Sequence, residues 1–378
     1  MKTDLKRVVG KTIYSCSRLF LWPLNQVLCI VFRNRGYLAQ SVLHVSYMVH
    51  IPWQATRELR KLGWHADYLA VGSSPHWAQC DIKAPESHVL VRAFVECWFF
   101  WKVVARYQAV HLHFMRTPSQ DAWELKLLRQ MGRVVVAHFR GCEARDRTRN
   151  MQLHPDMNIC QQCDYNATVC SSPNSVRSRA LAARWATATM VTTPDMLDFM
   201  PKAHVSSFFV PDVDEEPDRG RDGSRPLRLV HATNHPGIEG TDDIEATVKR
   251  LQDKGFAIEL QVLGDVSHAT VMDAMRQADL AIGKMKMGYY ANSQIESMAL
   301  GVPTITWVRP EFMTPELRAS GFIICHLREL EATLEHYLKH PEALDAKRQR
   351  ARSSILQLHN NHQVALRMVH AYAAKEAT

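Results

Sequence analysis

The chain reads as two successive runs of short β-branched strands alternating with amphipathic helices. That alternation restricts the fold more than any other feature. A strand followed by a helix returns parallel to its predecessor, so each run is expected to build a mostly parallel sheet with helices on its faces. In the first run, strands are predicted over Ser41–Tyr47, Ala66–Val71, Ala109–Phe114, Val134–Phe139 and Thr189–Thr193. Helices are predicted over Trp53–Leu62, Trp123–Met131 and Val176–Ala186, with Gly63 and Gly132 as stop signals. In the second run, strands at Leu227–His231, Ile258–Leu263, Leu280–Ile282 and Thr304–Val308 alternate with helices at Thr241–Gln252, Ala269–Gln277 and Asn292–Leu300. Between the runs lies a stretch dense in Pro, Gly and charge, from Pro211 to Pro226, which reads as a linker. The expected class is α/β, with two Rossmann-like doubly wound domains facing each other across a cleft. The expected boundaries are 1–40 for an N-terminal segment, 41–210 and 227–340 for the two domains, 211–226 for the linker and 341–378 for a helical tail. A length of 378 residues accommodates two cores at about 150 residues each.

Composition narrows the partners. Lys and Arg number 46 against 38 Asp and Glu, and the formal charge of +8 favours nucleotide phosphates, nucleic acid or an acidic membrane surface. Nine cysteines, an odd number, are too sparse for a disulfide scaffold and suit a reducing compartment. The longest apolar stretch, Leu19–Phe32, is interrupted by Pro23, Asn25 and Gln26 and falls short of the roughly 20 apolar residues of a spanning helix. Around it, Lys2, Lys6, Arg7, Lys11, Arg18, Arg33 and Arg35 are opposed only by Asp4. A basic segment bearing Leu, Trp and Phe suits an interfacial anchor on anionic lipid, so residues 1–40 are read as a membrane-surface segment. The competing reading is a basic tail plus one core-packing helix. The aromatic stretch Val95–Lys102 is a second, weaker candidate for such a surface, with burial as its ordinary explanation.

In open α/β sheets ligands sit beyond the carboxyl ends of the strands, so the strand-to-helix loops are the places to look. The first loop of the second run holds Asn234, His235, Gly237, Gly240 and Thr241. Its glycines permit close approach of backbone to a phosphate, and Thr241 is placed to cap the following helix. It is neither a Walker loop nor a dinucleotide fingerprint. The next such loop carries Lys284, Lys286, Tyr289 and Tyr290 ahead of a helix containing Glu296. A carboxylate there can accept both hydroxyls of a ribose, the lysines can neutralise phosphates, and an aromatic ring can stack on a base. A solvated helix residue is the plain alternative for Glu296.

Glu296-Ser297-Met298-Ala299-Leu300-Gly301-Val302-Pro303-Thr304-Ile305 resembles the E-A-M-A-x-G-x-P-V-I signature of family-four (group 1) glycosyltransferases of the GT-B fold. Val230-His231-Ala232 through Gly240-Thr241-Asp242 is similar to that family's donor loop. Val135–Glu143 is similar to its V-V-x-x-F-(H/R)-G-(S/C)-(D/E), and His111–Phe114 to its H-x-H-F strand end. The resemblance implies transfer of a sugar from a nucleotide donor, with Glu296 on the ribose and the glycine loop on the diphosphate. Arg140, Glu143 and His138 would face the transferred sugar, with His50 and His113 on the acceptor side. It also implies retention of anomeric configuration. The chain departs from the pattern where Asn234 or His235 and Glu239 replace an Arg and a Lys, where Gly288 replaces the first Glu of a Glu-x7-Glu pair, and where Arg140 replaces a histidine. Lys284, Lys286 and His235 are the cations available instead.

Cys160, Cys163 and Cys170 have spacing that suits a structural zinc completed by Cys142 or His154, against the alternative of buried cysteines. His44, flanking the first strand with His50, and the run Lys347–Arg352 read most simply as surface features. The resulting expectation is a cytoplasmic, hexosyl-transferring glycosyltransferase of surface polysaccharide biosynthesis, peripheral to the inner face of the membrane. Its partners would be a nucleotide-sugar donor, a glycan or lipid-linked acceptor and an anionic membrane surface, with no required cofactor and no nucleic acid. The alternative is a catalytically weak or inactive subunit of the same fold that binds nucleotide sugar or acceptor.

Overall fold

Strands that are buried on both faces need apolar runs, and helices that cover them need one apolar stripe; the chain supplies both in alternation. The computed structural model describes residues 2–33, 35–74, 78–165, 172–214 and 225–373. It divides into two compact units, one of residues 1–143, 176–190 and 365–378, the other of 144–175 and 191–364.

The chain begins with α1 (Lys2–Val31), β1 (Leu38–Ser46), α2 (His50–Lys61), β2 (His65–Ala70) and β3 (Ile82–Lys83). It continues with α3 (Arg92–Lys102), β4 (Tyr107–His113), α4 (Glu124–Gln130) and β5 (Val134–Phe139), all within the first unit. After α5 (Arg147–Leu153) come α6 (Ser172–Trp185), β6 (Ala188–Val191) and β7 (His204–Val205). The first sheet has the order β3-β2-β1-β4-β5-β6-β7, and β1 pairs in parallel with both β2 and β4. The chain therefore leaves β1 to one side and returns to the other, which makes the carboxyl ends of β1 and β4 a topological switch point.

The second unit repeats the logic with β8 (Leu227–Ala232), α7 (Pro236–Glu239), α8 (Thr241–Asp253), β9 (Ile258–Leu263), α9 (His268–Gln277) and β10 (Leu280–Ile282). There follow α10 (Asn292–Ala299), β11 (Thr304–Thr306), α11 (Pro315–Ala319), β12 (Phe322–Ile324), α12 (Leu330–Lys339) and α13 (Pro341–Leu358). The residues of the last helix, α14 (Asn361–Ala373), belong to the first unit from Ala365 onward. The sheet order β12-β11-β10-β8-β9 is parallel throughout and puts the switch point between β8 and β10. Leu227, Leu229, Ile282, Ile305 and Ile323 of the sheet close a core against Ile244, Val248 and Leu251 of α8 and Leu330 and Leu334 of α12.

Predicted and observed elements agree closely for β5, β9 and β10, whereas the short strands β3, β7 and β12 are not read from the sequence. The expected linker lies mostly outside the described residues, which resume at Arg225. At the N-terminus the basic segment and the core-packing helix are one element. Residues 2–31 form one helix running through Pro23, with Tyr14, Leu21, Asn25 and Cys29 turned inward and Leu19, Phe20 and Ile30 exposed. Among the described residues no helix is long and apolar enough to cross a membrane.

Candidate functional site

Two polar clusters occupy the two switch points, one in each unit. In the second unit, the loop after β8 turns at Gly240 (φ 88°), a left-handed conformation that favours glycine and sets the start of α8. Because Gly240 itself takes the cap position, Thr241 is already the first helical residue and does not cap. Its hydroxyl bonds instead to Nε2 of His231, 2.9 Å away, whose Nδ1 lies 2.9 Å from the Ile282 carbonyl. This buried link joins β8, α8 and β10 at the switch point.

Lys284, Glu239 and Lys286 nearby are each engaged. Lys284 forms a close ion pair with Glu239, so the carboxylate that replaces a family cation is neutralised and buried. Lys286 is 7% exposed, lies 2.8 Å from Asp243 and donates to the Gln162 side chain. Gly237 N–H donates to Asp164 Oδ2 at 3.3 Å, and a Cβ at Gly237 would collide with the Gln162 carbonyl oxygen. The His235 and Tyr165 rings are in contact, tilted by 37° with centroids 3.8 Å apart, whereas Asn234 is exposed. The segment around residues 162–165 thus lies directly on the glycine loop, an arrangement no sequence signal announced.

Glu296 sits in the second turn of α10, 7% exposed, with Oε1 3.0 Å from His268 Nε2 at the start of α9. The bond to Glu296 raises the His268 pKa above its ordinary value, against the effect of burial. Glu296 is thus a positioned carboxylate and not a solvated helix residue. Tyr290 departs from expectation: it is 2% exposed, packed on Phe322 and bonded to His359 Nε2 at 2.8 Å, so it is a core residue and offers no face to a base. Tyr289, stacked on it at 4.2 Å, is the half-buried ring of the pair.

In the first unit, alternation along β4 puts His111 and His113 on one face, and register sets His44 opposite His111 and His138 opposite His113. All four rings are fully buried. Their hydrogen bonds form a chain whose direction can be deduced, because Arg140 can only donate. Arg140 Nε donates to His113 Nδ1 (2.8 Å), so His113 carries its proton on Nε2 and donates to His44 Nδ1 (2.8 Å). Arg140 Nη2 lies 3.4 Å from His138 Nδ1, which also receives His111 Nε2 at 2.9 Å. His111 Nδ1 must then accept from the Tyr372 hydroxyl, 2.7 Å away. The chain ends at His44 Nε2–H, which although buried has no hydrogen-bond partner among the described residues; neither has Ser46 Oγ, two residues on along the same face of β1.

Burial and the neighbouring Arg140 cation hold His44 down to about 3 and push His111, His113 and His138 well below the usual imidazole range. Burial lowers the Arg140 guanidinium to about 9, which leaves it charged at neutral pH. With Nδ1 already accepting, His138 keeps its proton on Nε2 and is a hydrogen-bond donor, not a base. The cluster is therefore one cation among neutral rings, suited to holding oxygen atoms or negative charge. It is a poor metal site, although nitrogens of His44, His111 and His113 lie within 4.8 Å of one another. His111 and His113 are stacked 10° from parallel, so their in-plane lone pairs do not converge, and Arg140 is bonded directly to His113.

Glu143 folds back on its own loop, accepting from Gly141 N–H at 3.1 Å and from Arg140 N–H. It therefore shapes the loop that presents Arg140. His50 opens α2 and is partly exposed. Directly after His113, Phe114 (φ 55°) and Met115 (φ 51°) adopt left-handed backbone without being glycine, a strained turn of the kind concentrated at functional sites. Of the expected zinc set, Cys160 is buried with Sγ accepting from Asn150, Cys163 is half-buried, and Cys170 lies outside the described residues. His154, one of the two residues expected to complete the set, has its Nε2 held by Asp198 at 2.9 Å and Arg309 at 2.5 Å.

No protein-family model and no curated protein matches the sequence. Solved structures share its fold. Sucrose-phosphate synthase (tll1590) from Thermosynechococcus elongatus matches with TM-score 0.59 and 13% identity, covering 88% of this chain and 98% of its own. Anabaena Alr3699/HepE, solved with UDP and glucose, matches with TM-score 0.60 and 9% identity over 88% and 99%. A point mutant of S. aureus TarM, solved with Fondaparinux, alpha-GlcNAc-glycerol and UDP, matches with TM-score 0.51 and 10% identity over 74% and 58%. At such identities the likeness is one of fold, and on it the chain has the divergent GT-B fold, an α/β architecture with two parallel sheets.

Proposed function

We propose that the chain is a retaining hexosyltransferase that moves a sugar from a nucleotide-sugar donor to a glycan or lipid-linked acceptor in surface polysaccharide biosynthesis, peripheral to the inner face of the membrane. The observation that carries the reading is the enclosure of Glu296 at the β8–β10 switch point, fixed by His268 and in the same unit as Lys284 and Lys286. A fixed carboxylate suits two ribose hydroxyls, and lysines suit a diphosphate leaving group. The UDP and glucose bound by HepE support a donor of this type. In the first unit Arg140 would supply positive charge, held in place by His113, and His138 would position an oxygen atom on the acceptor side.

Stabilising a leaving diphosphate requires cations that reach it, and comparable electrostatic contacts are worth about 10²–10³ in rate. Lys284 and Lys286 are already paired with Glu239 and Asp243, an observation that favours the second reading, a binding subunit with weak or no turnover. One experiment separates them: calorimetric titration with nucleoside diphosphates, followed by a donor-hydrolysis assay with acceptors present. Binding with turnover and retained configuration supports the enzyme; binding without turnover supports the subunit; no binding removes both.

A further inference from the structure

We propose that the outward face of α1, extended by the outer row of α3, is a docking surface for an anionic lipid bilayer. This rests on the membrane-surface part of the reading above and assigns it to particular residues. In α1, Tyr14, Arg18, Leu21, Asn25 and Cys29 recur every three or four positions and are buried. Tyr14 O–H donates to Glu96 at 2.5 Å, and Trp101 Nε1–H donates to Asn25 Oδ1 at 2.6 Å, so this face is sealed against α3. The opposite face is apolar as well: Leu19, Phe20, Leu24, Val27, Ile30 and Val31 are each more than half exposed. The two helices lie side by side, with Gly10 beside Val89 and Phe32 beside Trp101. On α3 the exposed row is Val91, Phe94 and Trp98. A water-facing helix normally shows a polar outer side, and a contiguous apolar one marks an interaction surface.

The charges identify the occupant. Beyond Asp4, α1 contains no acidic residue, and the one acid of α3, Glu96, is turned inward onto Tyr14. Exposed cations stand at the ends of the apolar rows: Lys11 on α1, Arg33 and Arg35 just beyond it, and Lys102 at the end of α3, its Nζ 4.5 Å from the Trp98 ring. A second copy of the chain on the same face would bring these cations against their own kind. Anionic headgroups would neutralise them, and Trp beside Lys is suited to the headgroup boundary. Since α1 cannot give up its sealed inner face to span a bilayer, it lies in the plane of the interface.

The test is sedimentation of the full chain with vesicles of phosphatidylglycerol and phosphatidylcholine, and with vesicles of phosphatidylcholine alone. Binding to the anionic vesicles that weakens with salt is expected, and Phe20→Asp/Leu24→Asp should lower it by on the order of 10- to 100-fold. Trp98→Asp should lower it by a smaller factor. These residues are exposed, so melting temperature and nucleoside diphosphate binding should not change in the variants. If the unaltered chain binds and both variants bind equally well, the assigned face is wrong while the membrane reading stands. Failure of the unaltered chain to bind removes both. Equal, salt-independent binding to phosphatidylcholine overturns the anionic partner. A dimer in size-exclusion chromatography that Phe20→Asp/Leu24→Asp breaks overturns the lipid in favour of a second copy.

Discussion

Replacing Glu296 by Gln keeps the shape of the side chain and removes its charge. Glu296 is nearly enclosed, and one oxygen is already held by His268, so the carboxylate is fixed before any ligand arrives. Hydrogen bonds to a charged group are worth about 1.5–3 kcal/mol each, and a Gln retains one acceptor oxygen of the two. The expected loss for a nucleoside diphosphate is therefore about 2–3 kcal/mol, or roughly 30- to 150-fold in Kd. Calorimetric titration reads this directly, and a 2′,3′-dideoxy analogue of the same nucleotide supplies the control. The unaltered chain should bind the analogue more weakly than the parent, and in Glu296→Gln that difference should largely vanish, since the two changes remove one interaction. Loss of affinity by the same factor for both ligands would show that Glu296 acts elsewhere, and no loss at all would remove it from the site. The variant also carries a pH signature. Because Glu296 raises the His268 pKa in the folded state, the pair's stabilisation is full below the ordinary histidine value near 6.5 and fades as pH rises through the folded value. The stability difference between the two proteins should accordingly be larger at pH 5.5 than at pH 8.

Three further outcomes are expected. Heteronuclear NMR of labelled histidines should show His44, His111, His113 and His138 as neutral rings protonated on Nε2 from pH 5 to 8; titration of any of them in that range refutes the deduced hydrogen-bond direction. Tyr372→Phe leaves His111 Nδ1 without its buried donor and should cost about 1–2 kcal/mol in urea unfolding, with a midpoint equal to that of the unaltered chain counting against the bond. Gly237→Ala forces a methyl into the Gln162 carbonyl oxygen, so it should destabilise by roughly 1–3 kcal/mol; an unchanged unfolding midpoint would mean that residues 162–165 do not lie on the glycine loop.

Much of the fold is legible along the chain. The ends of β5 and β10 can be read because a buried parallel strand is a short apolar run bounded by turn residues, and those of β9 because Glu259 and Gln261 alternate with apolar residues at the sheet edge. Glu296 can be singled out because the helix after a switch-point strand begins beside the ligand. The role of Tyr290 cannot, since an aromatic residue in a loop looks the same whether its ring faces a cavity or the core. His44 reads in sequence as an ordinary surface histidine, yet it is fully buried, and only strand register shows it to be one ring of four.

By itself the order of residues determined period, boundaries and composition: which segments are strands, which face of each is apolar, and where cations and glycines gather. Partnership was decided in three dimensions. His268 reaches Glu296 across 28 residues, Lys286 reaches Gln162 across 124, and Tyr372 donates to His111 across 261. Such pairs leave no periodic trace, because side chains so far apart in sequence meet only through the stacking of strands and the return of α14. Secondary structure is a property of neighbours along the backbone, whereas a site is a property of neighbours in space.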